Sequence, residues 1–386
     1  MKRIAILGST GSIGRNALEV IRHLPAEFEV IGLSTNSNID ILAGQIKKFS
    51  PKVVAVRDSL SALRLKRKLN NRIKLLVGDE AAAEIAQEGR VDLVLLAISG
   101  SGALVPLIKA VEAGKDVALA NKEALVMAGE IIMQKARLAH ARILPVDSEQ
   151  SAIWQCIDGK EKKALKKIYL TASGGPFFGL PPMRLKKISL RQVLRHPRWK
   201  MGRKVTVDSA TLMNKGLELI ESMRLFGLKP KQIEILIHPQ AIIHSMAEFI
   251  DGSILAQLSV TDMRIPIQYA LTYPKRCPSR LTKINFFKLE KLSFYQPDLK
   301  RFPCLGLAWE AARGAGSLPC VLNAANEIAV EAFLKGKVGF LAIPQIIEKV
   351  LSKHRVILNP QLPDIFYSDA WARQQAEELT YRFARG

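Results

Sequence analysis

The chain is short of cysteine, of long apolar runs and of acid, and each shortage excludes a class of protein. Its four cysteines, Cys156, Cys277, Cys304 and Cys320, lie far apart with no Cys-x-x-Cys pair. A chain of 386 residues needs no covalent staples, so a disulfide scaffold is excluded and a reducing, cytoplasmic setting is expected. The most apolar segment, Val91 to Ser99, is of strand length and falls well short of the roughly 18 residues that span a bilayer. The start Met1-Lys2-Arg3 followed by Ile4-Ala5-Ile6-Leu7 resembles a signal peptide only briefly, because the run ends at Gly8-Ser9 and Arg15 follows. Neither an internal repeat nor a low-complexity tract is present. Asp and Glu number 35 against 57 Lys and Arg, a formal charge of +22. Such an excess is compatible with anionic small ligands, nucleic acid or a generally basic proteome. The basic runs Arg64-Leu65-Lys66-Arg67-Lys68 and Lys160-Glu161-Lys162-Lys163 carry no interleaved aromatics and read as solvated faces.

What is present is organised. Up to about residue 147, short apolar runs alternate with helical periodicity: Ile4–Leu7, Val30–Leu33, Val53–Val56, Leu75–Val77, Val91–Ile98, Val117–Ala120 and Ile143–Val146. Strands alternating with helices predict a parallel sheet covered on both faces, an α/β doubly wound, Rossmann-like domain. Strand candidates Ile168–Thr171, Ile233–Ile237, Ile242–Phe249 and Ser253–Leu258 beside longer helical stretches then indicate a separate α+β domain. Residues 273–305 hold Pro274, Pro278, Pro297 and Pro303 with little periodicity, a linker pattern. Helical patterns follow at Leu305–Arg313, Leu322–Leu334, Pro344–Ser352 and Asp369–Arg385. The expected division is therefore 1–147, 148–272, a linker over 273–305, and a helical domain over 306–386.

The first strand runs into Gly8-Ser9-Thr10-Gly11-Ser12-Ile13-Gly14 and then an amphipathic helix with Ala17, Leu18, Val20 and Ile21. Glycines let the backbone turn sharply and approach a pyrophosphate, whose charge rests on the free N–H groups of a helix N-terminus. A glycine turn that merely joins strand to helix is the plainer alternative. NAD-selective domains end the second strand on an acid that holds the ribose 2′-hydroxyl. Here the strand ends Leu33-Ser34-Thr35-Asn36-Ser37-Asn38, which favours NADP although no basic residue stands in the segment. A second glycine-rich turn, Ser99-Gly100-Ser101-Gly102, follows the Val91–Ile98 strand.

Asp147-Ser148-Glu149 closes an apolar strand with carboxylates at i and i+2. In extended geometry both point to one side, where a divalent ion could bridge them. Glu218 is a third candidate, with Asn214 and Lys215 one helical turn before it. Hard oxygen donors without paired His or Cys suit Mg²⁺ or Mn²⁺ better than Zn²⁺. Asp-Ser-Glu after a strand is equally a helix N-cap with an acidic first turn, and His196, His238 and His244 are each explicable as structural histidines.

Taken together, GSTGSIG at 8, LANKE at 119, PVDSE at 145, SGGPF at 173, RHPRWKMGRK at 195, VDSATLMNKGLE at 207, LIHPQ at 236, HSM at 244 and LNAANE at 322 resemble one family across essentially the whole chain. That family is 1-deoxy-D-xylulose 5-phosphate reductoisomerase. The resemblance implies an N-terminal NADPH domain, a central catalytic domain that also makes dimer contacts, a linker and a C-terminal helical domain. Asp147, Glu149 and Glu218 would hold Mg²⁺ or Mn²⁺, with Co²⁺ a further candidate. The ion would chelate the carbonyl and neighbouring hydroxyl of a phosphorylated ketose. Ser173, Ser209, Asn214 and Lys215 would take the substrate phosphate, and Ser148 and Lys122 would meet its hydroxyls and the metal side. The implied catalytic residues are Lys122, Glu149 and His196. Thr10, Gly11, Ser12, Ile13, Asn36, Asn38, Asn121, Glu123 and Gly202 would contact NADPH. The segment from Ser173 to Lys204 resembles a closing flap that lays His196, Trp199 and Met201 over the substrate.

Two departures matter. Thr35-Asn36-Ser37 replaces a segment that often carries a basic residue near the 2′-phosphate, and Gln150 stands where a histidine often follows the acidic pair. The expected reaction is isomerisation and NADPH-dependent reduction of 1-deoxy-D-xylulose 5-phosphate to 2-C-methyl-D-erythritol 4-phosphate by a cytoplasmic homodimer. Two rival readings are an NADP-dependent dehydrogenase of another phosphorylated or acidic substrate, and a nucleic-acid-binding protein prompted by the charge. The chain carries no recognisable nucleic-acid module, so nucleic acid is not expected as a partner, and neither is a membrane.

Overall fold

The computed structural model describes residues 1–69, 73–181, 185, 188–195, 198–199 and 201–385. The chain divides into two compact units: residues 1–124, 130–151 and 262–281 form the first, and 125–129, 152–261 and 282–386 the second.

In the first unit, strands β1 (Lys2–Leu7), β2 (Phe28–Thr35), β3 (Val53–Val56), β4 (Lys74–Val77), β5 (Leu93–Leu96), β6 (Asp116–Leu119) and β7 (Ile143–Pro145) form one sheet. Its order is β4-β3-β2-β1-β5-β6-β7, with every pairing parallel. Helices α1 (Ser12–His23), α2 (Ile39–Phe49), α3 (Ser59–Lys66), α4 (Ala81–Ala86), α5 (Leu104–Glu112) and α6 (Glu123–Leu138) connect successive strands. Strands covered on both faces lose the alternation of a half-exposed sheet. Accordingly Leu93, Val94, Leu95 and Leu96 are all buried, as are Val53 to Val56. Each of the seven apolar runs singled out in this region contains a strand; the run over Val91–Ile98 is trimmed to its central four residues, and those over Val117–Ala120 and Ile143–Val146 each lose their last.

Chain order reverses between β1 and β5. At such a switch point the two flanking loops diverge at the carboxyl ends of the strands and leave a crevice, the usual ligand site of an open α/β sheet.

Helix α7 (Ser148–Ile157) leads on to the second unit, whose sheet has β8 (Leu165–Ala172), β9 (Ile233–Ile237), β10 (Ile243–Phe249) and β11 (Ile254–Leu258) in the order β11-β10-β8-β9. β10 runs antiparallel to both β11 and β8, while β8 and β9 are parallel. A parallel pair needs a crossover, and α8 (Leu190–Val193), α9 (Arg203–Ala210) and α10 (Met213–Phe226) lie in that connection. α10 ends on Gly227 at φ 65°, the left-handed C-terminal position that glycine occupies without strain. α11 (Arg264–Thr272) belongs to the first unit; α12 (Pro303–Gly314), α13 (Leu318–Leu334), α14 (Ala342–Lys353) and α15 (Leu362–Arg385) belong to the second. One apolar cluster fills the second unit and joins Ile168 and Leu170 of β8, Leu217 and Ile220 of α10, Leu305 of α12, Val330 of α13 and Ile347 of α14. Between α11 and α12, a short turn stands at Phe286–Lys288 and Tyr295 forms a bridge with Ile237; residues 303–305 are the first of α12.

One local expectation is corrected. The pair at 147 and 149 does not sit on extended backbone: β7 stops at Pro145 and α7 begins at Ser148. A carboxylate in a first turn is favoured by the free N–H groups and the dipole there, and that preference ends the strand early.

Candidate functional site

The glycine loop of the first unit is built by close approach. Gly8 has φ +86°, and a Cβ placed there would stand 2.6 Å from the carbonyl oxygen of Ala97, just beyond β5. A Cβ on Gly14 would stand 2.5 Å from Ser9 Cα, so the first turn of α1 rests directly on the loop. Ser34 Oγ accepts from the Gly8 amide at 2.9 Å. Ser9 Oγ donates to Gln45 Oε1 at 2.7 Å while Gln45 Nε2 returns a bond of 2.8 Å to the Ser9 carbonyl. The Thr10 and Thr35 hydroxyls lie 2.6 Å apart. These bonds lock the ends of β1 and β2 together. Gly11, the N-cap of α1, provides no side-chain cap, the arrangement in which the first amides of a helix can receive an anion. Thr10 and Ile13 are half-buried, Gly11 and Ser12 exposed.

At the end of β2, Asn36 and Asn38 are exposed, and Asn38 caps α2 by accepting from the Ile41 amide at 3.3 Å. The buried Asn121, just after β6, ties two turns: its Nδ2 reaches the carbonyls of Ile98 and Gly100 at 2.9 and 3.0 Å and Glu123 Oε2 at 2.9 Å. Its Oδ1 accepts from the Ala124 amide at 2.8 Å. The turn after β5 and the start of α6 are thereby joined at the crevice.

Next to Asn121, Lys122 pairs with Asp147, both side chains nearly buried. Ser148 Oγ donates to Glu149 Oε2 at 2.6 Å. One carboxylate oxygen from Asp147 and one from Glu149 lie within 4.8 Å of each other, so a helical turn brings together what a strand was expected to align. Two hard anionic donors at that spacing fit a divalent ion of the Mg²⁺ type, and the buried Gln150 offers no imidazole.

In the second unit, β8 ends into Ser173-Gly174-Gly175. Gly175 has φ +67°, and a Cβ there would lie 2.8 Å from the Ser209 carbonyl; only a glycine lets this loop approach the end of α9. Ser173 and Ser209 are thus brought to neighbouring turns. α10 then presents Asn214, Lys215 and Glu218 in one turn: Asn214 Nδ2 donates to Glu218 Oε1 at 2.5 Å, and Lys215 Nζ pairs with Glu218 Oε2. Lys215 is 3% and Glu218 0% exposed. A carboxylate and an ammonium buried together in this way are costly to separate.

Sequence reading did not single out Asp208 as a functional group. It is 1% exposed, and its carboxylate accepts from Asn326 Nδ2 and Lys204 Nζ, each at 2.9 Å. The partner Asn326 lies in LNAANE, a segment that was visible, although its distant partner was not.

The histidines divide as follows. His238 is stacked on Phe294 with ring centroids 5.0 Å apart, and its Nδ1 lies 2.9 Å from the Ser293 carbonyl. Its Nε2 accepts from the amides of Ile242 and Ile243, and burial lowers its pKa. His244 is 5% exposed; burial pushes it down to about 4, with Lys215 acting in the same direction. Both are neutral structural groups at pH 7. Trp199 is half-buried, its ring 6.1 Å from that of His244. Gly202 is the exposed N-cap of α9. His196 lies outside the described residues.

The geometry has close relatives. Residues 4–129 match the family model for 1-deoxy-D-xylulose 5-phosphate reductoisomerase, and 143–226 and 258–375 match models for its C-terminal domains. The 1-deoxy-D-xylulose 5-phosphate reductoisomerase of Pelotomaculum thermopropionicum is 50% identical over 98% of both chains. The solved structure of the Zymomonas mobilis enzyme in complex with NADPH is 41% identical, with a TM-score of 0.92 over 98% of this chain and 99% of that one. A DOX-P reductoisomerase structure in complex with NADPH, fosmidomycin and magnesium is 38% identical and superimposes over 100% of both chains with a TM-score of 0.94.

Proposed function

This chain belongs to the 1-deoxy-D-xylulose 5-phosphate reductoisomerase family, and from that membership we infer that it isomerises 1-deoxy-D-xylulose 5-phosphate and reduces the rearranged aldehyde with NADPH to 2-C-methyl-D-erythritol 4-phosphate. This is a step of the non-mevalonate isoprenoid route. The observation that carries the reading is the 50% identity extending over 98% of both chains, which leaves no domain outside the match.

The first unit is the NADPH domain. The open amides of α1 hold the pyrophosphate, with Thr10, Gly11, Ser12 and Ile13 lining the loop, Asn36 and Asn38 at the adenosine end, and Asn121, Glu123 and Gly202 completing the cofactor contacts. Asp147, Glu149 and Glu218 hold one divalent ion, Mg²⁺ or in its place Mn²⁺ or Co²⁺; the all-oxygen donor set supports this. When bound, the ion polarises the substrate's carbonyl and adjacent hydroxyl, and NADPH supplies the hydride.

The chain's own residues prepare this chemistry. Lys122 orients Asp147 through their ion pair. The Ser148 hydroxyl steadies Glu149 and can turn to a substrate hydroxyl. Ser173, Ser209, Asn214 and Lys215 cradle the phosphate: the glycine-enforced approach of residue 175 to Ser209 and the start of α10 supply donors, with one ammonium as counter-charge. Asp208, held by Asn326 and Lys204, anchors the turn that carries Ser209. Trp199 lies over the substrate and helps to exclude water.

The enzyme acts as a cytoplasmic homodimer. All four cysteines are free, which supports a reducing compartment. The edge strand β11 exposes Ile254 and Leu255, at 48% and 42%, as an apolar edge suited to a second copy. The test is oxidation of NADPH in the presence of 1-deoxy-D-xylulose 5-phosphate, with Mg²⁺, with Mn²⁺ and with excess chelator. Turnover that needs both substrate and metal is expected; no turnover with either metal would sink the assignment. Light scattering on the eluting protein should give the mass of two chains.

A further inference from the structure

Strand β2 ends in Thr35-Asn36-Ser37 with no basic residue, yet a cofactor carrying a ribose 2′-phosphate needs a counter-charge there. The neighbouring strand brings one. β3 pairs with β2 as far as Val56 beside Thr35, and the pairing runs on beyond both strands: the Arg57 amide donates to the Thr35 carbonyl at 3.1 Å and the Asp58 amide to the Asn36 carbonyl at 2.9 Å. These bonds hold Arg57 alongside the very residues where the 2′ position of a bound dinucleotide falls in a doubly wound domain. The side chain is open to solvent. It is 65% exposed, and its Nε meets Asp79 Oδ1 at 2.5 Å, with Asp79 itself 76% exposed. An ion pair so open to water holds weakly, whereas a phosphate offers a guanidinium a charge-assisted, forked contact. Asp58, next in the chain, is turned to the start of α3, where it accepts from the Ser61 amide at 2.7 Å, which leaves Asp79 as the acid that the phosphate displaces.

We propose that Arg57 is the residue that selects NADPH over NADH in this chain, exchanging Asp79 for the 2′-phosphate when the cofactor binds. The inference rests on the reading of the first unit as an NADPH domain, and it assigns the charge that the second strand lacks. Lys68, just beyond α3, serves as the control: its Nζ is 3.5 Å from Asp40 Oδ1 on α2.

Dissociation constants for NADPH and for NADH, measured separately on the full chain by fluorescence of the reduced nicotinamide, test the proposal without turnover. Arg57 lies on the surface, so Arg57→Met should keep the wild-type circular dichroism and melting temperature. It should weaken NADPH about tenfold or more while leaving NADH within about twofold, and Arg57→Lys should recover part of the loss, as expected for one charge-assisted contact. Equal loss for both cofactors, loss for neither, or loss confined to Lys68→Met would each overturn the assignment to Arg57 while leaving the NADPH domain intact. Failure of the wild-type chain to bind NADPH at all would overturn both.

Discussion

Two helical glycines in the first unit should respond to the same substitution with opposite signs. Gly14 and Gly44 both lie in helices, α1 and α2, and replacing a helical glycine by alanine stabilises by roughly 0.5–1 kcal/mol when space allows. At Gly44 a Cβ would meet nothing within 4 Å, so Gly44→Ala should show that gain. At Gly14 the new methyl would stand 2.5 Å from Ser9 Cα and 2.7 Å from Ser9 C. Ordinary contact begins at 3.4 Å, and both opposing atoms are backbone, so loop and helix must part by nearly an ångström. Overpacking of this kind costs about 1–3 kcal/mol and outweighs the propensity gain, leaving a net loss of about 1–2 kcal/mol. The same displacement takes the α1 amides away from the pyrophosphate. Losing one hydrogen bond to a charged group, about 1.5–3 kcal/mol, corresponds to a roughly 10- to 100-fold weaker NADPH complex. Thermal melts and NADPH titration of both variants decide the matter. A Gly14→Ala protein that melts at or above the wild-type temperature and binds NADPH within about threefold would refute the reasoning.

Other consequences can be checked in the same preparations. Glu218→Gln should lower kcat by more than the roughly 10- to 100-fold typical of outer-shell metal partners while NADPH titrates normally; retained turnover with Mg²⁺ would remove Glu218 from the metal set. His244 is neutral when folded, its pKa depressed from 6.5 to about 4 by burial, so its stabilising contribution is complete above pH 6.5 and is lost as pH falls toward 4. That drop is worth about 3 kcal/mol, and chemical denaturation of His244→Gln should show a shallower loss of stability over that window. A variant as acid-labile as wild type there would show that other groups dominate. Asn326→Leu strips a hydrogen bond from the buried Asp208 carboxylate, and should cost about 1.5–3 kcal/mol and raise KM more than it lowers kcat, because the turn bearing Ser209 loses its anchor. Steady-state kinetics giving an unchanged KM would argue against that anchoring role.

The strand–helix alternation of the first unit was legible because buried parallel strands demand consecutive apolar residues, and β3 and β5 are buried along their whole length. The glycine loop was legible for a similar reason: Gly8 and Gly14 face backbone at distances that no side chain permits, so the motif records a steric requirement. The acidic pair was found by its spacing but placed on the wrong backbone. Strand and helix both offer a way to converge residues 147 and 149, and spacing alone does not choose between them.

By itself, then, the sequence determined the alternating sheet, the anion-binding turn after β1, the helical end of the chain and the identity of the carboxylates. All of these follow from periodicity, from glycine geometry and from side-chain chemistry within a few residues. Only the tertiary structure decided which charges meet across longer separations. It set Asn326 on Asp208 across 118 positions, and brought Arg57 beside Thr35, where β2 has no basic residue of its own. It also buried His244 deeply enough to keep it neutral. Strand pairing, helix packing and desolvation set those relations, and local spacing does not say which distant residues they join.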